Sequence, residues 1–429
     1  MAATHPSVHL VRGTSSSGEV IKLTALDVVM LGGVDSSQEC AVLFSEASDE
    51  ERLVTSLERV LDKFAPFAGR IVKNGDEWFV QCSNVGVPVT FDTKDFPAPP
   101  QETPYELSLF DLARAAAPSA DGLSGVGEAP LRIRVTTFTD GQLLGLSYNH
   151  ALGDAASLNL FLVAWGEEYR GTAGTEEVNH DRTGFFPVTT GGFAEPPLES
   201  DSPYEEDWQR LHQTAPLPTI VTADQPALWS VVSRFWPFDE LARLKDKYKS
   251  ASDDEILSSA DVLTAEVVQM CRFDASSLRL NIIKQYREEL GSRGYFGNAI
   301  MSLGMDVPNS EAAPHLIRKA VVHSKSAAFV QWKHRQTFCG LELTGSHLMM
   351  NSWNRTVVLE RIVFAGPAVH VNFAMKTYHD DVVERARTTP YAQILPHRCG
   401  LRLNLFVRRS VAHALREAGV VQNCVDIDQ

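Results

Sequence analysis

A chain of 429 residues is longer than one hydrophobic core ordinarily organises, so its length favours two domains with an interface in which a cleft can form. With 44% hydrophobic and 22% charged residues it has the balance of a soluble globular protein and not that of a disordered one. A formal net charge of -15 with no offsetting basic run argues against nucleic acid and anionic membrane surfaces as partners, and any site for an anionic ligand must gather Lys or Arg locally.

No run of about 18 apolar residues is present, and the start Met1-Ala2-Ala3-Thr4-His5-Pro6 has neither a basic region nor an apolar signal core. The expectation is a soluble, unprocessed chain that neither spans nor binds a membrane. Cys40, Cys82, Cys271, Cys339, Cys399 and Cys424 are scattered, without C-x-x-C or zinc spacing, which fits a reducing compartment, the cytosol, and predicts no metal.

In chain order, Ala41-Val42-Leu43-Phe44 reads as a strand, and Ser48 with Glu51 three residues later forms a capping-box pattern. Leu53, Leu57, Val60, Leu61 and Phe64 then recur at helical spacing until Ala65-Pro66, where proline cannot donate to the preceding turn. Residues 144–149 alternate like a strand, and Leu158, Phe161, Leu162, Trp165 and Tyr169 follow at helical spacing up to Gly171. His150 therefore falls on a strand-to-helix turn. From Thr172 to Pro226 the chain is polar and rich in turn residues, such as Thr189-Thr190-Gly191-Gly192. This stretch reads as a linker, which divides the chain into an N-terminal domain 1–171, a crossover 172–226 and a C-terminal domain 227–429. Helices are predicted from Phe238 and from Ser259, the second with Ser or Asp near its start. Strands are predicted over Val357–Phe364 and Leu401–Val407. Both halves mix the two element types, so the fold class is α/β or α+β.

A histidine on a supported turn facing a cleft suits a general base, because imidazole can take a proton from a hydroxyl near neutral pH as the oxygen attacks a carbonyl. Asp154, four residues later at the helix start, can cap free N–H groups or pair with a cation without touching substrate. Asp before a helix is commonly just a cap, and most histidines are structural or solvated, so the pair does not settle the chemistry alone.

The segment His150-Ala151-Leu152-Gly153-Asp154, with its flanks Ser147-Tyr148-Asn149 and Ala164-Trp165, resembles the H-x-x-x-D site of the BAHD acyltransferases. Four further matches follow the same order. Leu23-Thr24-Ala25-Leu26-Asp27 is similar to the early L-S-x-x-D element. The stretch Leu57 to Arg70, ending Ala65-Pro66-Phe67-Ala68-Gly69-Arg70, is similar to the family's helix and Pro-Leu-Ala-Gly-Arg turn. Gly294-Tyr295-Phe296-Gly297-Asn298-Ala299 matches almost letter for letter, and Asn351-Ser352-Trp353 falls where a T-S-W-like element belongs. The resemblance implies two chloramphenicol-acetyltransferase-like domains with the active site in a channel between them. It implies a monomeric acyltransferase of specialised metabolism that uses acyl-CoA as co-substrate, with no permanently bound cofactor. His150 would be the base in direct transfer to a hydroxyl or amine of a small molecule, and Asp154 would hold the loop through an ion pair to Lys284 or Arg287.

Gly297, Asn351 and Trp353 are the expected substrate-binding residues. Glycines bracketing Tyr295 and Phe296 let the backbone turn sharply and approach a ligand. The Asn351 amide can donate to a developing oxyanion, and Trp353 can wall the acceptor pocket. The family's second signature, Asp-Phe-Gly-Trp-Gly, is represented only by Val363-Phe364-Ala365-Gly366-Pro367, and Ala155 stands where the family prefers glycine. These departures mark a divergent member. Condensation domains and wax-ester synthases, which use a second histidine where Asn149 stands, remain an alternative with a carrier-protein thioester donor. A non-catalytic binding paralogue is a third reading. In Gly145-Leu146-Ser147-Tyr148-Asn149, Asn149 stands where a serine nucleophile elbow has its closing glycine, and neither a phosphate-binding loop nor a nicotinamide fingerprint is found.

Overall fold

The computed structural model describes residues 7–32, 37–99, 127–172, 174, 177–182, 229–249, 256–271, 277–289, 291–308, 310–325, 348–373 and 390–427. Most of the expected crossover, and Cys339, lie outside the described residues.

One long sheet runs through both halves. Its spatial order is Ser7–Val11, Val87–Thr93, Leu131–Phe138, Gly141–Asn149, Ser37–Phe44, Ala368–Phe373, Tyr391–His397, Leu348–Ser352, Ser277–Gln285 and Ile300–Pro308. Gly400–Arg408 branches from Tyr391–His397 and pairs with Trp229–Pro237, which also carries Asn423–Ile427. The late strand Ala368–Phe373 lies antiparallel on Ser37–Phe44, with Val371 opposite Val42, so it completes the sheet of the first half. Towards the second half the described ladder narrows to His370 opposite His397. A small sheet of Val20–Lys22, Glu77–Gln81 and Arg70–Asn74 packs at one end.

Two main cores follow. The first collects Leu57, Phe64, Phe67, Tyr148, Phe161 and Trp165, together with Phe296, Phe364 and Phe373 from far along the sequence. The second holds Trp236, Leu263, Tyr286, Tyr295, Met350 and Leu403. The helix Ala155–Arg170 is anchored by the apolar residues read from the sequence and stops at Gly171, whose φ of 71° is a left-handed conformation that glycine adopts without a Cβ penalty. The helix Ser259–Met270 starts at a capping box of Ser258 and Asp261.

Two expectations fail locally. The helix Glu50–Lys63 is capped by Asp49, which accepts from the Arg52 N–H at 2.8 Å, whereas the Ser48 N–H is committed to the Gln142 side chain. Residues 357–364 form no strand. Val357, Leu359, Ile362 and Phe364 instead plug the first core from a loop with a single helical turn, Leu359–Arg361. Phe364 stands edge-on to Trp165, at 5.1 Å between centroids, and to Phe44 at 5.5 Å. The loop comes this close because Gly166 has no side chain: a Cβ there would lie 2.4 Å from the Val363 carbonyl oxygen.

No described helix is long and apolar enough to cross a membrane.

The narrow join carries an acid-sensitive pair. Burial and the nearby Arg402 push His370 well below the ordinary imidazole value, and burial, Arg402 and Arg398 push His397 down to about 4. The folded state keeps both rings neutral, while unfolded imidazoles protonate near pH 6.5. Between pH 6.5 and 4 the unfolded chain binds more protons, so stability is present above that window and falls as pH falls through it. Melting temperature is expected to drop across this range, and to drop less in a His370→Phe, His397→Phe variant. An equal fall in both proteins counts against this assignment.

Candidate active site

The strand Gly141–Asn149 is buried along its whole length and delivers His150 into a short helical turn, His150–Leu152, before Gly153 and the N-cap Asp154. The Asn149 side chain caps this turn by accepting from the Ala151 N–H at 2.9 Å. His150 is half-buried. Its Nδ1 is buried without a hydrogen-bond partner, while the residue lines a cleft, which leaves Nε2 as the ring nitrogen open to the cleft.

The cleft is small, with about 40 Å³ of space, and opens to solvent. Its lining draws on distant parts of the sequence: Gln38, Tyr148, His150 and Asp154, then Ile283, Gln285 and Ile300, and then Asn351, Trp353 and Phe373. Trp353 is buried and packs on Phe373 with ring centroids 4.0 Å apart, so it serves the core and the wall together. The Asn351 Nδ2 donates to the Tyr391 hydroxyl at 3.2 Å. An amide nitrogen carries two protons, so one stays available to a ligand.

Asp154 also borders the cleft, but its carboxylate oxygens are engaged within the protein. Its Oδ1 accepts from the Ala156 and Ser157 N–H groups at 3.0 and 3.1 Å, and its Oδ2 from the Ala299 N–H at 3.0 Å. Arg287 grips both oxygens, Nη1 to Oδ2 at 2.8 Å and Nη2 to Oδ1 at 2.7 Å. Burial alone would raise this carboxyl. The charge and hydrogen bonds of Arg287 and the backbone donors outweigh it and hold Asp154 below the ordinary carboxylate value. The sequence leaves Lys284 and Arg287 open as the partner, and the structure gives the contact to Arg287. Lys284 pairs with Glu289 at 2.7 Å.

Gly297 does not line the cleft. Its carbonyl accepts from Arg287 Nη2 at 2.6 Å and from the Ser157 hydroxyl at 2.8 Å, and its N–H donates to the Ser157 Oγ at 3.0 Å, so it backs the Asp154 pair. Glycine is needed here for space and not for an unusual backbone angle: a Cβ would stand 2.4 Å from the Tyr295 Oη. Gly297→Ala is therefore expected to displace the buried Tyr295 ring and cost about 1–3 kcal/mol of stability, as measured by denaturant unfolding. An unchanged midpoint contradicts this packing argument.

Behind the turn stand three residues: Asp27 and Asn298, which the matched segments contain without assigning them a role, and Arg182, which the sequence reading passed over. Asp27 is fully buried and ion-paired with Arg182, and Asn298 reaches from Asp27 to the His150 carbonyl. Arg182 escaped notice because it lies in the stretch read as linker. Residues 177–182 are in fact tied to the core: the Asn179 N–H donates to the Gly294 carbonyl and the Phe296 N–H to the Asn179 carbonyl, each at 2.8 Å. Away from the cleft, His413, Cys424 and Asp426 stand close enough to share a cation, but Arg409 lies 3.4 Å from the same Asp426 oxygen and competes for it.

With this geometry in place, the comparisons place the chain. A model of the Transferase family matches residues 21–325, more than half of the chain, so the protein belongs to this family, that of the BAHD acyltransferases. An Arabidopsis thaliana protein described as an uncharacterized acetyltransferase is 30% identical over 161 residues, 35% of this chain and 36% of that protein. The chain thus spans little more than a third of the length of that relative. In the solved structure of vinorine synthase the same fold recurs with a TM-score of 0.66 at 17% identity, over 97% of this chain and 98% of that one. Fusarium graminearum TRI101, solved with coenzyme A and T-2 mycotoxin, gives a TM-score of 0.64 at 16% identity, over 93% of this chain and 97% of that one. These likenesses show that the chain shares the mixed α/β fold of those structures.

Proposed function

We propose that this protein transfers an acyl group from an acyl-CoA thioester to a hydroxyl or amine of a small-molecule acceptor bound in the cleft, with His150 as general base. One observation carries the reading: of the paired residues in the H-x-x-x-D segment, Asp154 is consumed by Arg287 and backbone donors, while His150 keeps a ring nitrogen open to the cleft. TRI101 holds coenzyme A and its acceptor on the same fold, which supports the donor assignment. His150 Nε2 takes the acceptor proton as the oxygen or nitrogen attacks the thioester carbonyl. The Asn351 amide steadies the oxyanion, the C–S bond breaks, and the imidazolium returns its proton to the coenzyme A sulfur. Trp353 walls the acceptor side.

We take residues 1–171 and 227–429 as the two domains with 172–226 as the crossover between them, the segments 177–182 and 353–373 packing against the first domain. The protein works as a monomer in the cytosol. The test is release of free thiol when the protein meets a panel of acyl-CoA donors and pooled small alcohols, phenols and amines. Acceptor-dependent release is the expected result; thiol released equally without acceptor overturns the transferase reading.

A further inference from the structure

Three successive carbonyls of the catalytic turn are each held by a side chain. The His150 carbonyl accepts from Asn298 Nδ2 at 2.8 Å, the Ala151 carbonyl from Arg182 Nη1 at 3.3 Å and the Leu152 carbonyl from Arg182 Nη2 at 3.0 Å. Both donors are gripped by one carboxylate: Asp27 Oδ1 accepts from Asn298 Nδ2 at 2.8 Å, and Asp27 Oδ2 accepts from Arg182 Nη1. Asp27 is itself fixed, because Oδ2 also accepts from the Thr24 N–H at 2.8 Å and hydroxyl at 2.7 Å. Thr24, Asp27, Arg182 and Asn298 are all buried, and none lines the cleft.

This clamp matters because, among the described residues, no hydrogen bond orients His150 Nδ1 and the ring has only a tilted contact with Tyr148 at 6.5 Å, so the placement of the imidazole depends on the backbone that carries it. The His150 carbonyl also accepts from the Gly153 N–H at 3.2 Å, but a short helical turn leaves its later carbonyls without internal partners, and such a turn can drift. An error of about 1 Å in placing a reacting group costs about 10²-fold in rate.

The geometry points to Asp27 as a positioning residue for the reaction, acting on His150 through Arg182 and Asn298. It forms a second buried acid–arginine pair beside Asp154–Arg287, and it holds the carbonyls of the turn where the first pair holds the helix that follows. The inference rests on His150 being the base.

The experiment measures thiol release with acetyl-, hexanoyl- and benzoyl-CoA and the pooled acceptors for Asp27→Asn, Arg182→Lys and Asn298→Ala, each alone and combined with His150→Ala. Each single variant is expected to lose about 10- to 100-fold in kcat, with the KM for the donor within about twofold of wild type. In the His150→Ala background the same substitutions cost nothing more, because they act through a ring that is gone. Arg182→Lys keeps the positive charge beside Asp27 but cannot reach two carbonyls at once, so its loss reports geometry and not charge. If the two charge-pair variants do not fold, Asn298→Ala, which removes a neutral side chain, gives the same readout. Wild-type kcat in the folded variants, a raised KM with kcat kept, or an equal further loss in the His150→Ala background overturns the inference. A His150→Ala protein at wild-type rate removes the base reading and this inference with it, and that outcome is distinct from a clamp variant that keeps its rate while His150→Ala is dead.

Discussion

Replacing His150 by alanine is expected to lower kcat by about 10² to 10⁴ with the fold left intact. The ring makes no side-chain hydrogen bond that its removal would break, and its Nδ1 has no partner to orphan. Stability should fall by about 1 kcal/mol or less, since a half-buried ring in contact with Tyr148 loses packing but no hydrogen bond. The KM for the donor should hold, because the walls from Ile283, Asn351 and Trp353 remain. Steady-state kinetics with a melting curve checks both halves. A variant that unfolds shows the ring to be structural, and one with wild-type kcat shows that the base lies elsewhere.

Breaking the Asp154–Arg287 pair is expected to be the most destabilising single change. Arg287→Met strands a buried carboxylate and removes donors from the Tyr295 carbonyl, the Gly297 carbonyl and the Ser157 hydroxyl. Loss of one partner of a buried pair costs about 3–5 kcal/mol, because the other charge is left without compensation in a medium that solvates it poorly. The double variant Asp154→Leu, Arg287→Met removes both charges and should recover part of that stability. Activity should not return with it, since the helix start and the Gly297 segment lose their common anchor. Denaturant unfolding of the two single variants and the double variant tests this. Additive losses, with no recovery in the double variant, contradict the picture of a coupled pair.

The strand, the turn with His150 and the helix to Gly171 were legible because alternation, helical spacing and a terminal glycine are local signals. The same holds for the helix from Ser259, read from Ser or Asp near its start, although its cap, Ser258, was not singled out. The pairs that finish the site are not local. Asp27 and Arg182 are 155 residues apart and Asp154 and Arg287 are 133 apart, so only the fold brings them together. Arg182 was further hidden by polar, turn-rich surroundings that read as linker. Val357–Phe364 misled for another reason: its apolar residues answer to a core that it plugs from outside, and such a loop is as hydrophobic as a strand. At Gly297 the sequence told of a need for glycine, but the cause is the neighbouring Tyr295 ring and not a ligand. For Asp154 the resemblance offered two cations. What separates them is local: Lys284 is taken by Glu289.

The most direct test of the account is a side-by-side assay of purified wild-type and His150→Ala protein with a panel of acyl-CoA donors and pooled alcohols, phenols and amines, following free thiol. The account predicts acceptor-dependent thiol release by the wild type, reduced about 10² to 10⁴ in the variant. Equal release by both proteins, or no consumption of any acyl-CoA donor by the wild type, contradicts it.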